Sequence, residues 1–113
     1  MLRDDATILD IRRAARRAVA FKHGIRKRSF MHDEKSQSAI VHQLLVLGEA
    51  TKRLSAGFRA HHPEIPWRMM AGMRDTLIHE YDEVDLEEVW KTVTVDLPRL
   101  IAQLEPLAPK PEE

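Results

Sequence analysis

Apolar residues recur at three- and four-residue steps along most of the chain, and no period-two alternation persists long enough for a sheet, so the pattern predicts an all-α fold. Ile8, Ile11, Ala15, Ala18 and Val19 make one stripe, with Arg12, Arg13, Arg16 and Arg17 on the other face. A first helix is expected from Asp4 or Asp5, either of which can cap it, to a stop at His23-Gly24. Arg26-Lys27-Arg28 follows as a basic connection. Ile40, Val41, Leu44, Leu47, Gly48, Thr51 and Leu54 predict a second helix from Asp33 or Ser36 to Leu54, buried on more than one side because the stripe is wide, with Gly57 as its terminal cap. His61 to Pro66 is turn-rich. A third helix is expected from Pro66 to near Tyr81, carrying Trp67, Met70, Met73, Leu77 and Ile78. Asp85 and Glu88 fit a capping box for a fourth, with Val89, Trp90, Val93, Leu97, Leu100, Ile101 and Leu104 on one side. Pro98 inside that helix removes a backbone bond and predicts a kink near Thr94 or Val95. The architecture expected is a four-to-five-helix antiparallel bundle over residues 1–105, followed by a proline-containing tail, 106–113.

Composition narrows the class. With 43% hydrophobic and 32% charged residues in 113, the chain suits one globular domain, and wholesale disorder is excluded. No apolar run approaches the ~20 residues of a membrane span, and Met1-Leu2-Arg3-Asp4-Asp5 lacks the apolar stretch of a signal peptide. The absence of cysteine removes disulfides and thiolate metal sites and fits a reducing cytoplasm, which is the expected location. The zero net charge is unevenly built: residues 1–31 carry +6, residues 75–113 carry −8 and residues 32–74 carry +2. A basic end attracts phosphates; equally, two opposite ends can pack together and neutralise each other.

The candidate chemistry lies in Gly72-Met73-Arg74-Asp75-Thr76-Leu77-Ile78-His79-Glu80-Tyr81. Arginine can grip a phosphate with two parallel hydrogen bonds, and histidine can take or give a proton near neutral pH. RNA strand cleavage needs one group to accept the 2′-hydroxyl proton and another to stabilise charge on phosphorus. Five residues of helix turn through ~500°, so Arg74 and His79 would diverge by ~140°. They could meet if the helix ends at His79 or if a symmetry-related helix supplies the partner; by spacing alone such a pair is more often a coincidence. His61-His62 with Glu64 is a weaker metal candidate, since adjacent histidines rarely point the same way, and no metal site is expected. Glu49 favours a capping or interhelical hydrogen bond over substrate contact. Trp67, Trp90, Met69, Met70 and Met73 read as core or dimer interface. Arg12, Arg13, Arg16, Arg17 and Arg26-Lys27-Arg28 offer an RNA backbone track without aromatic residues for base reading, with Arg16, Arg26, Lys27 and Arg28 the leading candidates.

The stretch resembles the signature of the HEPN superfamily, Arg-x4–6-His with a polar residue after the Arg: here Arg74, Asp75 and His79. Tyr81 completes the Arg-x4-His-x-Tyr form of its HepT-like branch. Gly48-Glu49-Ala50, Ile65-Pro66-Trp67, Gly72-Met73-Arg74 and Asp96-Leu97-Pro98 extend the resemblance in order over nearly the whole chain. Asp75 stands where that family often has Asn, which places an extra anion beside the phosphate site. The resemblance implies a metal-independent, cofactor-free endoribonuclease whose homodimer joins two motifs in a cleft on the two-fold axis. In it His79 is the general acid or base, Arg74 stabilises the phosphate, Asp75 positions one of them, and the product carries a 2′,3′-cyclic phosphate. It further implies the toxin of a type VII toxin–antitoxin pair, whose MntA-like nucleotidyltransferase antitoxin transfers AMP to Tyr81. The alternative is a non-catalytic helical adaptor of a nucleotidyltransferase.

Overall fold

A single long amphipathic stripe starts the fold. α1 (Arg3–Lys22) buries Thr7, Ile8, Ile11, Ala14, Ala15 and Ala18 on one side and leaves its arginines outside. The computed structural model describes residues 2–80 and 82–110. Asp4 and Asp5 do not cap α1; the cap position is Leu2, and both aspartates sit in the first turn, where they complement the helix dipole. Asp4 instead accepts from the backbone N–H of Ser55 at 3.0 Å and from its hydroxyl at 2.6 Å. That pair ties the start of α1 to the segment after the third helix. Gly24, at φ 78°, makes the expected stop in a conformation open to few other residues.

The basic connection is not a plain loop. Lys27–Phe30 folds into one turn, α2, because Phe30 buries completely beside Trp90, with ring centroids 5.3 Å apart. α3 (Glu34–Lys52) is capped by Asp33, which accepts from the Ser36 N–H at 3.2 Å. As its wide stripe predicts, α3 is the central helix, packed on α1 from one side and on α5 from the other. It stops at Lys52, short of Leu54. Ser55 then caps a further short helix, α4 (Ala56–His61), so Gly57 lies inside that helix and caps nothing. α5 (Trp67–His79) starts one residue after Pro66 and is pinned there by the Trp67 indole N–H, which donates to the His62 carbonyl at 2.9 Å.

The last helical rod has three parts. Asp85 caps α6 (Leu86–Lys91) by accepting from the Glu88 N–H at 3.2 Å. The chain then widens into a π-helical turn, Thr92–Asp96, before α7 (Leu97–Leu104). Pro98 is the second residue of α7 and cannot donate to the Thr94 carbonyl; the wider turn falls where the proline predicts an irregularity. After a 3₁₀ turn at Glu105–Leu107, Leu107 and Ala108 still pack against the core. Among the described residues there is no strand, and no helix is long and apolar enough to cross a membrane. The described residues form an all-α helical bundle with one continuous core.

Candidate active site

α5 carries Arg74 to the point where it crosses α3 at Gly48. A Cβ on Gly48 would overlap the Cβ of Arg74 and lie 3.0 Å from the Met70 carbonyl oxygen, so only glycine permits this approach. The half-buried Arg74 is then held from both sides. Its Nε forms an ion pair with a Glu49 carboxylate oxygen of α3 at 3.0 Å, and one terminal nitrogen donates to Asp75 Oδ1 at 3.0 Å. Glu49 thus makes the interhelical contact that its setting favours. Lys52, a turn beyond Glu49 on α3, donates to the same Asp75 oxygen at 2.5 Å. Hydrogen bonding from Lys52 first, and from Arg74 second, holds the Asp75 carboxyl below the ordinary carboxylate range. Four charged groups, two of each sign, therefore alternate along the α3–α5 seam. Lys52 carried no sequence signal: a lysine in the last turn of a helix is ordinary, and only the crossing brings it to Asp75.

His79 is the last residue of α5 and is exposed. Because α5 is regular through both positions, Arg74 and His79 leave it on different sides, and among the described residues no hydrogen bond joins them. The chain sets the arginine in place and presents the histidine on another side of the same helix without assembling the two. Tyr81 lies outside the described residues.

The other candidates divide. Arg16 and Arg12 reach Glu105 at 3.0 and 3.4 Å, and Lys27 reaches Glu87 at 2.6 Å. Part of the basic N-terminal charge is thus neutralised by the acidic C-terminal half. Arg17, Arg26 and Arg28 are exposed, and a shallow depression of about 400 Å³ runs along Arg12, Arg13, Arg16 and Arg17. At the metal candidate, His61 Nδ1 donates to the Gly57 carbonyl at 2.7 Å while His62 faces Glu64 at 3.7 Å, so the two rings serve different partners. Among the described residues no three acidic or histidine side chains gather as metal ligands. Trp67 and Met70 are core, whereas Met69 is 55% and Ile78 46% exposed.

A cavity of about 660 Å³ lies on the opposite side of α5. Leu44 and Leu47 form its floor, Met69, Met73 and Leu77 one wall, Val89, Leu97 and Leu100 the other, and Glu64, Glu80, Asp85, Glu88 and Asp96, against the single cation Arg99, its predominantly acidic border. Neither Arg74 nor His79 lines it. An acidic border repels phosphate, so this groove is not where an RNA backbone would bind.

Comparison with known proteins supplies the family. Residues 11–107 match the family described as Ribonuclease HepT-like. A protein of Thermococcus cleftensis named "Probable ribonuclease HepT" is 44% identical over 98 residues, covering 87% of this chain and 89% of that one. One of Caldanaerobacter subterraneus subsp. tengcongensis, named as a "Putative RNase", is 39% identical, covering 77% and 78%. Another with that designation from Methanocaldococcus jannaschii is 34% identical, covering 88% and 83%. No solved structure matches the chain. With the matched region spanning α3, α5 and the whole Arg74–His79 stretch, the chain belongs to the HepT-like ribonuclease family.

Proposed function

We propose that this protein is a metal-independent endoribonuclease that cleaves RNA through Arg74 and His79 in a cleft shared by two copies of the chain, and that it is the toxin of a toxin–antitoxin pair. The observation that carries this reading is the seated Arg74: a half-buried guanidinium, fixed by Glu49 at a crossing only Gly48 permits, inside a region that matches a ribonuclease family. A cation held in place in advance stabilises transition-state charge without reorganising first. Pairing about a two-fold axis brings two α5 ends together, so that His79 of one copy can approach Arg74 of the other. Exposed Ile78, next to His79 on α5, supplies apolar surface for that contact.

In the reaction, the 2′-oxygen attacks phosphorus as His79 removes its proton. The bond to the 5′-oxygen breaks and that oxygen takes up the proton that the imidazole accepted, relayed through water, so that His79 returns to its neutral form. Arg74 balances the charge on the equatorial oxygens, and a 2′,3′-cyclic phosphate results. Arg16, Arg26, Lys27 and Arg28 add sequence-independent attraction for the RNA backbone. An MntA-like nucleotidyltransferase silences the site by moving AMP from ATP onto the hydroxyl of Tyr81, with pyrophosphate as the leaving group; Tyr81 is two residues beyond His79 in sequence, so the adduct adds bulk and negative charge to the motif.

The alternative, a non-catalytic adaptor, is favoured by one observation: both edges of the Arg74 guanidinium are already engaged by carboxylates. Incubating purified protein with RNA in EDTA and mapping the ends separates the readings. Cleavage is expected to persist under chelation and to fall ~10²–10⁴-fold in His79→Ala. Equal cleavage by that variant removes His79 from the mechanism, and cleavage abolished by EDTA removes the metal-free chemistry. Tyr81→Phe is expected to stay toxic and to escape modification by the partner; AMP found on another residue would reassign the acceptor.

A further inference from the structure

Asp75 is an anion bound between two cations from different helices. Its Oδ1 receives Lys52 Nζ at 2.5 Å and an Arg74 terminal nitrogen at 3.0 Å. A non-bridging phosphate oxygen has the same requirements: a negative oxygen, open on one side, met by donors from more than one direction. The remaining edge of the arginine is fixed elsewhere, on Glu49 at 3.0 Å. The geometry is therefore that of a two-point anion clamp closed on its own side chain. Because Lys52 is 37% and Asp75 50% exposed, an incoming phosphate can reach the pair from solvent, and exposed ion pairs are weakly held.

We infer that Lys52 is a second phosphate-binding residue of the active site, and that Asp75 is a resident carboxylate which an RNA phosphate displaces from Lys52 and Arg74. Lysine suits this exchange because its ammonium is a mobile point charge with three donors, able to turn from a carboxylate to a phosphate without the fixed plane that arginine requires. Lys52 and Glu49 stand three residues apart on α3, one helical turn, so the lysine follows the anchor of Arg74 along the same seam. In this arrangement Asp75 limits affinity: each binding event breaks two ion pairs before it forms two. The extra negative charge at residue 75 and the lysine opposite it then act together, the lysine offsetting the carboxylate at rest and binding phosphate in use. This inference rests on the ribonuclease reading.

The competing role for Lys52 is purely structural, a partner for Asp75 and nothing more. A double-mutant cycle separates them. The full-length protein would be titrated with a fluorescent single-stranded 2′-O-methyl RNA, which lacks the nucleophilic hydroxyl, at a series of KCl concentrations; kcat/KM would be measured in parallel on unmodified RNA. If Lys52 binds phosphate, Lys52→Ala weakens binding about tenfold and lowers the salt slope by about 0.7, the value for one phosphate contact on a single strand. Asp75→Asn tightens binding, and Lys52→Ala still weakens it in the Asp75→Asn background. If Lys52 serves Asp75 alone, its removal has no effect in that background, which overturns the proposal, as does an unchanged affinity and slope in the single variant. Lys52→Met keeps the aliphatic stem and must behave like Lys52→Ala; wild-type binding by the methionine variant also overturns it. Wild-type protein that neither binds nor cuts RNA refutes the ribonuclease reading and this inference together. Wild-type protein that cuts RNA, with a lysine variant that binds equally well, refutes this inference alone.

Discussion

The two sides of α5 are built in opposite ways. Toward α3 the helix is pressed so close that Gly48 has no room for a methyl group, and Glu49, Arg74, Asp75 and Lys52 interlock along the seam. Toward α6 and α7 the same helix faces a groove of about 660 Å³ with an apolar lining and an acidic border. The comparison teaches where precision resides. A side chain that must meet a phosphate in one orientation belongs on the fixed side, because a loosely held cation loses its advantage when it has to reorganise. The open side tolerates change and is free to serve assembly or recognition.

The glycines of the two sides give the sharpest way to break that comparison. Gly48→Ala forces α3 and α5 apart at Arg74, with an expected loss of about 1–3 kcal/mol in urea unfolding, typical of overpacking, and a fall in RNA cleavage as Arg74 shifts. Unchanged stability would show that the crossing can relax. Next in size is assembly. Ile78→Ser removes exposed apolar surface beside His79 and is expected to weaken self-association about tenfold, ~1.4 kcal/mol, in sedimentation equilibrium, with cleavage falling in step. Self-association untouched by this change would move the interface off this part of α5.

Gly72, also in α5, is the counterpart of Gly48: nothing lies within 4 Å of a Cβ built there. Gly72→Ala is therefore expected to raise stability by roughly 0.5–1 kcal/mol through helix propensity. A loss instead would reveal that another copy or partner covers this position. The smallest effect concerns pH. The Asp75 carboxyl is depressed by Lys52 and then Arg74, so the bridge is complete above the carboxylate's unfolded-state pKa and is lost as pH falls through the lower folded value. A carbon-detected titration of Asp75 should give a midpoint below that of a free aspartate in wild type, moving upward in Lys52→Ala. An identical midpoint in the variant would remove Lys52 as the main cause.

Much of the bundle is legible in the sequence because periodicity reports burial directly. The wide stripe of Ile40 to Thr51 names α3 as the central helix, Asp33 and Asp85 mark the two helix starts they cap, and Pro98 marks the irregular turn at Thr92–Asp96. The departures share a cause, which is that a side chain with two possible partners does not declare its choice locally. Asp4 could cap its own helix but bonds Ser55, 51 residues away. Gly57 could end α3 but falls inside α4, because Ser55 supplies a cap that restarts the helix. Arg26 to Arg28 reads as a loop because Phe30, which pulls the turn inward, finds its aromatic neighbour only at Trp90, in the last helical rod.

The candidate site divides along the same line. The sequence named Arg74 and His79 as the candidates, because a guanidinium and an imidazole have their properties wherever they stand, and it placed both on one helix. It also determined that they diverge around that helix, since 3.6 residues per turn is fixed by backbone hydrogen bonding. Only the tertiary structure decided what surrounds Arg74. Gly48, Glu49 and Lys52 belong to a different helix, and their meeting with the arginine depends on the distance at which two helices cross, a quantity set by side-chain volume across the seam and not by any one segment. The structure likewise decided that Asp75 faces a lysine as well as the arginine, because an ion pair between helices exists only once both helices are packed and their registers fixed.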